Sequence, residues 1–139
     1  HNFGTAPTRG TSAADTFKAA LYLATATVDA STTAFSATDE VSGSGYTSGG
    51  IAVTNATPPT ATNASATAGV AFFTPSASLV YTSVTLTTAF DAVLIYNSTQ
   101  SNKAVSVHTF GSQTITAGTF TLTMPTNNTT DALLRLATT

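Results

Sequence analysis

Phe90-Asp-Ala-Val-Leu-Ile-Tyr96, then Asn97-Ser-Thr-Gln-Ser-Asn102, then Ala104-Val-Ser-Val-His-Thr-Phe110 is the stretch that decides the fold. The first run is almost wholly apolar, with β-branched and aromatic side chains, and reads as a central strand covered on both faces. The polar segment after it carries the Asn and Ser residues that favour turns. Alternation resumes beyond it, with Val105 and Val107 on one side. The pattern predicts two strands joined by a hairpin-like connection.

The same grammar extends outward in both directions. Upstream, Ser83 to Thr88 alternates around Val84 and Leu86, and Val70 to Phe73 is a short apolar strand. Downstream, Gly111 to Gln113 reads as a turn and Gln113 to Thr116 as a short strand. Thr119 to Met124 aligns Phe120, Leu122 and Met124 on one face. Pro125 and Asn127-Asn128 turn the chain again, and Ala132 to Leu136 closes it. Near the start, Phe17, Ala19, Leu21 and Leu23 recur at period two, with Lys18 and Tyr22 opposite, which predicts a half-buried strand. Ala and Leu also suit a helix, but the Thr-Ala-Thr-Val that follows favours strand. Ile51 to Thr54 alternates as well. Residues 54–69 are mostly Thr, Asn, Ala and Pro, with Pro58-Pro59 among them, and read as a long turn or arm.

The sum is about eight or nine short strands separated by turn signals, the spacing of an antiparallel β-sandwich or barrel. No segment holds a 3.6-residue period with caps. The expected organisation is an N-terminal arm over 1–14, rich in Gly, Pro, Thr and Ser, and a single all-β domain over 15–139.

Composition narrows the function. The chain has 139 residues, no Cys, no Trp, 42% hydrophobic residues and a formal net charge of −2. Only 7% of its residues are charged, against roughly 25% in a typical soluble domain. Disordered chains are usually charged and poor in apolar residues, so this one is expected to fold. So little charge suits a large assembly, or a chain that contacts many neighbours, although small extracellular β-domains rich in Thr and Ser are charge-poor too. Arg9, Lys18, Lys103 and Arg135 are scattered, which argues against direct nucleic-acid binding. No run approaches the roughly 20 apolar residues of a membrane-spanning helix. The start, His1-Asn2-Phe3-Gly4, lacks the basic and apolar pattern of a signal peptide. Absence of Cys excludes disulfides and thiolate metal sites.

Candidate chemistry is sparse. His1 lies at the terminus and His108 on the polar face of a strand, with no partner residues at metal-ligand spacing. Asp39 and Glu40 are adjacent acids, but neighbours on a strand point to opposite faces and do not converge on one bond. They are better suited to shaping the Gly-rich stretch 43–50 or to touching a neighbouring subunit. Gly43-Ser-Gly45 and Gly49-Gly50 are followed by a strand, not by the helix that a dinucleotide site requires. No Gly-x-Ser-x-Gly elbow accompanies the many serines. Glycosylation-type triplets begin at Asn55, Asn63, Asn97, Asn127 and Asn128, as a Thr/Ser-rich composition produces by itself. No catalytic, cofactor-binding or metal-ligating residue is assigned.

Three segments carry a resemblance: Asp15 to Ala24, Thr38 to Gly50 and Ala92 to Val107. The most specific is Glu40-Val41-x-Gly43-x-Gly45-Tyr46-x-x-Gly49-Gly50. Together, over roughly residues 15 to 135, the chain resembles small virion structural proteins of tailed bacteriophages, of the capsid cement or decoration type. The resemblance implies a jelly-roll-like β-sandwich on the outer capsid surface of the virion. There a homodimer or homotrimer would bridge neighbouring major capsid proteins, with no enzymatic activity and no cofactor. Phe3, Phe35, Tyr46, Phe72, Phe73 and Tyr81 lie outside the clearest core strands and are candidate interface anchors, although each also suits core packing. The competing readings are a tail- or fibre-associated structural protein and a carbohydrate-binding β-sandwich. The absence of Trp counts against the second.

Overall fold

The computed structural model describes residues 14–55, 59–62 and 69–137. Every regular element among them is a strand. In chain order these are β1 (Phe17–Leu23), β2 (Ile51–Ala52), β3 (Thr60–Ala61), β4 (Val70–Phe73), β5 (Leu79–Asn97), β6 (Lys103–Leu122) and β7 (Leu134–Ala137). They form two antiparallel sheets, ordered β2-β1-β5-β6 and β3-β4-β7. The expectation of an all-β antiparallel protein therefore holds. The chain divides into two compact units. One holds 15–53 and 79–122, and the other holds 54–78 and 123–139 as far as these are described. The expected arm falls on residues 1–13, outside the described set, and on Ala14.

The first unit is organised by the Phe90–Tyr96 run. β1 pairs with it in register from Phe17↔Asn97 to Tyr22↔Ala92. Alternation then sorts the side chains. Ala20, Tyr22, Ala92, Leu94 and Tyr96 form one buried cluster, overlaid by Ala26, Val28, Phe35, Ala104 and Val107. Phe17, Ala19, Leu21, Val93 and Ile95 fill the opposite face and are also buried. The central strand is thus covered on both faces, as its sequence predicts. β1 departs from expectation. Tyr22, placed on a solvent face by its spacing, is buried, because the 26–35 segment lies across that side.

Two more corrections concern strand length. Ser83–Thr88 and Phe90–Tyr96 are parts of one strand, β5, and the predicted turn at Gly111–Gln113 is strand interior in β6. In place of reversals, the hairpin carries register shifts between Tyr81 and Phe90, with left-handed residues at Ser83 (φ 54°) and Ala117 (φ 46°). Bulges bend a strand and sharpen its twist. The bend is large. Tyr81 and Ile95 are about 45 Å apart along an extended strand, yet the Tyr81 hydroxyl donates to the carbonyl of Ala19, the residue paired with Ile95, at 2.9 Å. Phe110 and Phe120, about 33 Å apart along an extended strand, have ring centroids 5.3 Å apart. The hairpin folds back upon itself. Phe90 sits in the crease, edge-on to Phe120 at 5.1 Å and to Phe110 at 6.0 Å.

The second unit is smaller. β4 pairs with β7 from Val70↔Ala137 to Phe73↔Leu134, and with β3 through Thr60↔Phe72 and Ala61↔Ala71. Part of the 54–69 segment read as turn is therefore paired strand, while residues 56–58 and 63–68 lie outside the described set. Phe73 and Thr74 are buried, and the Thr74 hydroxyl accepts from the Leu133 backbone N–H at 3.0 Å.

Candidate functional site

The motif singled out in the sequence, Asp39 to Gly50, is built around one carboxylate. Glu40 Oε1 accepts from the Tyr46 hydroxyl at 2.8 Å and from the Gly49 N–H at 2.7 Å, and Oε2 accepts from the Ser48 hydroxyl at 2.8 Å. The Tyr46 oxygen in turn accepts from the Leu21 N–H at 3.0 Å, and the Gly49 carbonyl accepts from the Tyr96 hydroxyl at 2.8 Å. Burial is the main cause that raises the Tyr46 and Tyr81 hydroxyls above the usual phenol range, so both remain proton donors. Glycine is required where the loop touches the sheet. A Cβ at Gly43 would lie 2.0 Å from the Thr85 carbonyl oxygen, and one at Gly50, which has φ 73°, would lie 1.7 Å from that of Ala19. Glu40 is committed to holding this loop, and the segment is scaffold.

What the loop does is cover a sheet edge. β1 would otherwise present a row of unpaired backbone groups. Val53 N–H donates to the Phe17 carbonyl, Ile51 pairs with Ala19, Val41 N–H donates to the Leu21 carbonyl and Leu23 N–H donates to the Asp39 carbonyl. Past the end of β1, the Thr85 N–H of β5 donates to the Ser44 carbonyl at 2.9 Å. The glycines let the loop lie close enough to act as a substitute strand.

The opposite edge of the same sheet is different. β6 pairs only with β5. Its outer side is covered at the start, where Ala34 bridges Lys103 and Ala104 N–H donates to the Thr33 carbonyl at 2.9 Å. From Val105 to Leu122 no described residue bonds its backbone to that side, although Asp29, Ala30 and Thr32 flank Val105–Val107 across a small cleft. No residue of β6 is fully buried. Edge strands are usually protected by charge, proline or shortness. β6 is 20 residues long and has no Pro, Asp, Glu, Lys or Arg after Lys103. This edge is the candidate functional surface. Reading strands one at a time missed it, because an edge is defined by which strands become neighbours. The signal that could have found it is the uncharged interval from Ala104 to Met124.

The other sequence candidates are accounted for locally. His108 is half-buried, its Nε2 is 2.9 Å from the Ser106 hydroxyl, and desolvation lowers its pKa. No three His, Asp or Glu side chains gather as metal ligands among the described residues. Asn97, first residue of a glycosylation-type triplet, is fully buried. Its Nδ2 donates to Asp15 at 2.7 Å and its Oδ1 accepts from the Thr99 and Gln100 N–H groups, which fixes the β5–β6 turn. Of the proposed anchors, Tyr81 and Phe73 are core and Phe35 stacks on Tyr96 at 4.6 Å. Phe72 lines a shallow groove of about 290 Å³ with Pro59, Ala71, Leu134 and Leu136. Phe3 and His1 lie outside the described residues. Among the described residues no helix is long and apolar enough to cross a membrane.

Comparison with known proteins returns no match to a family model, to a curated protein or to a solved structure.

Proposed function

We propose that this chain is a non-enzymatic structural protein of a tailed bacteriophage, a cement protein that binds the outer capsid surface and bridges major capsid protein subunits. The observation that carries this reading is the contrast between the two edges of the larger sheet. One is closed by a dedicated glycine loop, and the other, a 20-residue strand with no charged residue after Lys103, has no paired strand among the described residues beyond Ala104. Open edges recruit other chains by main-chain hydrogen bonding. The resemblance of Asp15–Ala24, Thr38–Gly50 and Ala92–Val107 to phage virion proteins supplies the setting. In this reading the folded-back hairpin is a jelly-roll-like β-sandwich, and its partners are the capsid protein and further copies of itself. Nucleic acid, membrane and cofactors play no part.

Physically, a cement protein that binds the assembled shell and not its free subunits stabilises the shell by mass action. Many modest contacts over a shell act together through effective concentration. The test is copy number in purified virions, by quantitative mass spectrometry against the major capsid protein. A near-stoichiometric ratio is expected. A few dozen copies at most would move the protein to the tail, and absence from virions would end the reading.

A further inference from the structure

We propose that the pocket between the segments 74–78 and 124–127 is a binding site for a single neutral pyranose sugar. The inference goes beyond the cement reading and needs only the folded chain. Thr74 follows β4 directly, and Met124 stands two residues past the end of β6. Both segments belong to the second unit. The Leu133 N–H donates to the Thr74 hydroxyl at 3.0 Å, and the Met124 N–H donates to the Ser78 hydroxyl at 3.2 Å. The enclosed volume is about 340 Å³, inside the range of roughly 300–1,000 Å³ that small-molecule sites occupy. The walls are pre-formed. Pro75 and Pro125 have a fixed φ, and Ser76 is anchored twice, since its N–H and its hydroxyl both donate to the Thr54 carbonyl at 2.9 Å. Such walls need little ordering when a ligand arrives.

The hydrogen-bonding inventory decides the ligand. A hydroxyl has one proton to donate as well as lone pairs to accept. The backbone bonds to Thr74 and Ser78 use a lone pair of each, and among the described residues neither proton has an acceptor. Thr74 is only 2% exposed, and an unused donor at that depth calls for an acceptor. Asn127 also lines the pocket, is exposed and makes no side-chain hydrogen bond to a described residue. Its amide adds two donors and an acceptor. No lining residue is ionisable, so nothing there offsets the desolvation of a phosphate, a carboxylate or an ammonium group. The remaining lining is C–H surface from Pro75, Ala77, Met124 and Pro125. A pyranose presents the complement, with hydroxyls that donate and accept around a ring and C–H faces between them. No aromatic ring lines the pocket, so stacking is not available and the affinity is set by hydrogen bonds and fit.

Met124 is the only methionine of the chain, so an isotope-labelled methionine methyl gives one NMR resonance, and it lies at this pocket. The full-length chain is titrated with the methyl glycosides of glucose, galactose, mannose and N-acetylglucosamine. A saturable shift of that resonance is expected with at least one of the four, at a Kd of about 1 mM, the weak end of specific binding. Asn127→Ala breaks no side-chain hydrogen bond to a described residue and is expected to weaken binding about three- to tenfold. Ala77→Phe, at an exposed position of the wall, is expected to abolish it. Both variants should keep the far-UV spectrum of the parent. No saturable shift with any of the four sugars up to about 50 mM, far above that Kd, would overturn the proposal. An equal saturable shift with inorganic phosphate would overturn the assignment to a neutral ligand. Binding left unchanged by both substitutions would put the sugar elsewhere and overturn it too. Every titration uses the free chain. Sugar binding by a protein absent from virions therefore keeps this inference and ends the cement reading, and a decorated capsid without sugar binding does the reverse.

Discussion

Gly50 and His108 show how single residues set the properties of this fold. Gly50 has φ 73° and approaches the Ala19 carbonyl so closely that a Cβ would stand 1.7 Å from its oxygen. Gly50→Ala is therefore expected to cost about 2–4 kcal/mol, through left-handed strain and displacement of the edge loop. Urea unfolding measures it, and a midpoint equal to that of the parent would refute the role given to this glycine. That the Gly-rich stretch is a shaped loop was legible in its glycine density, while the positive φ of Gly45, Gly49 and Gly50 in particular is a finding of the structure. Which backbone each glycine would meet was not legible, because those carbonyls belong to β1 and β5. For His108, desolvation lowers the folded pKa below the ordinary 6.5. The unfolded chain therefore takes up the proton first as pH falls. Stability attributable to this residue is full above about pH 6.5, declines as pH drops towards the lowered folded value, and levels off below it. Between pH 7.5 and 5 the parent should lose more stability than His108→Gln. Parallel losses would show that the ring is not desolvated.

At the scale of elements, the hairpin of β5 and β6 is the informative case. Its residues are legible as strand, but its continuity is not. Thr87-Thr88-Ala89 and Gly111-Ser112-Gln113 carry the same small and polar signals that mark turns, and here they lie within strands that bend. Turns and bulges call on the same residues. What separates them is whether the chain reverses, and only pairing decides that. Ala117 is one of the bending points, left-handed at φ 46°, with its N–H donating to the Thr85 hydroxyl at 3.0 Å. Ala117→Gly removes the steric cost of that conformation and is expected to stabilise by up to about 1 kcal/mol. Thermal unfolding tests this, and a lower melting temperature would argue against strain at the bend.

At the scale of the molecule, the two units differ in how much they bury. The first contains a strand closed on both faces, with Phe90 and Leu94 at 0% exposure, whereas the described part of the second has only Phe73, Thr74 and Pro75 as its buried centre and leaves Leu136 74% exposed. Local opening follows buried apolar contact. Native-state hydrogen exchange should find the slowest amides at Ala19–Tyr22 and Ala92–Asn97, with β3, β4 and β7 exchanging at least tenfold faster. Equal protection would mean that the units open as one.

The sequence by itself determined that the chain is all-β, that Phe90–Tyr96 is its covered centre and that a hairpin follows. These are matters of local period and turn chemistry, written in neighbouring residues. It also determined that the Asp39–Gly50 segment is a shaped loop, since glycines at that density have few other uses. Tertiary structure alone decided that Glu40 is consumed as a tether, that Tyr22 is buried beneath the 26–35 segment and that the long hairpin folds over. It also decided that, among the described residues, one edge of the larger sheet is closed while β6 beyond Ala104 has no paired strand. Each of these depends on contacts between residues far apart in the chain, and no local pattern encodes which strand ends without a neighbour.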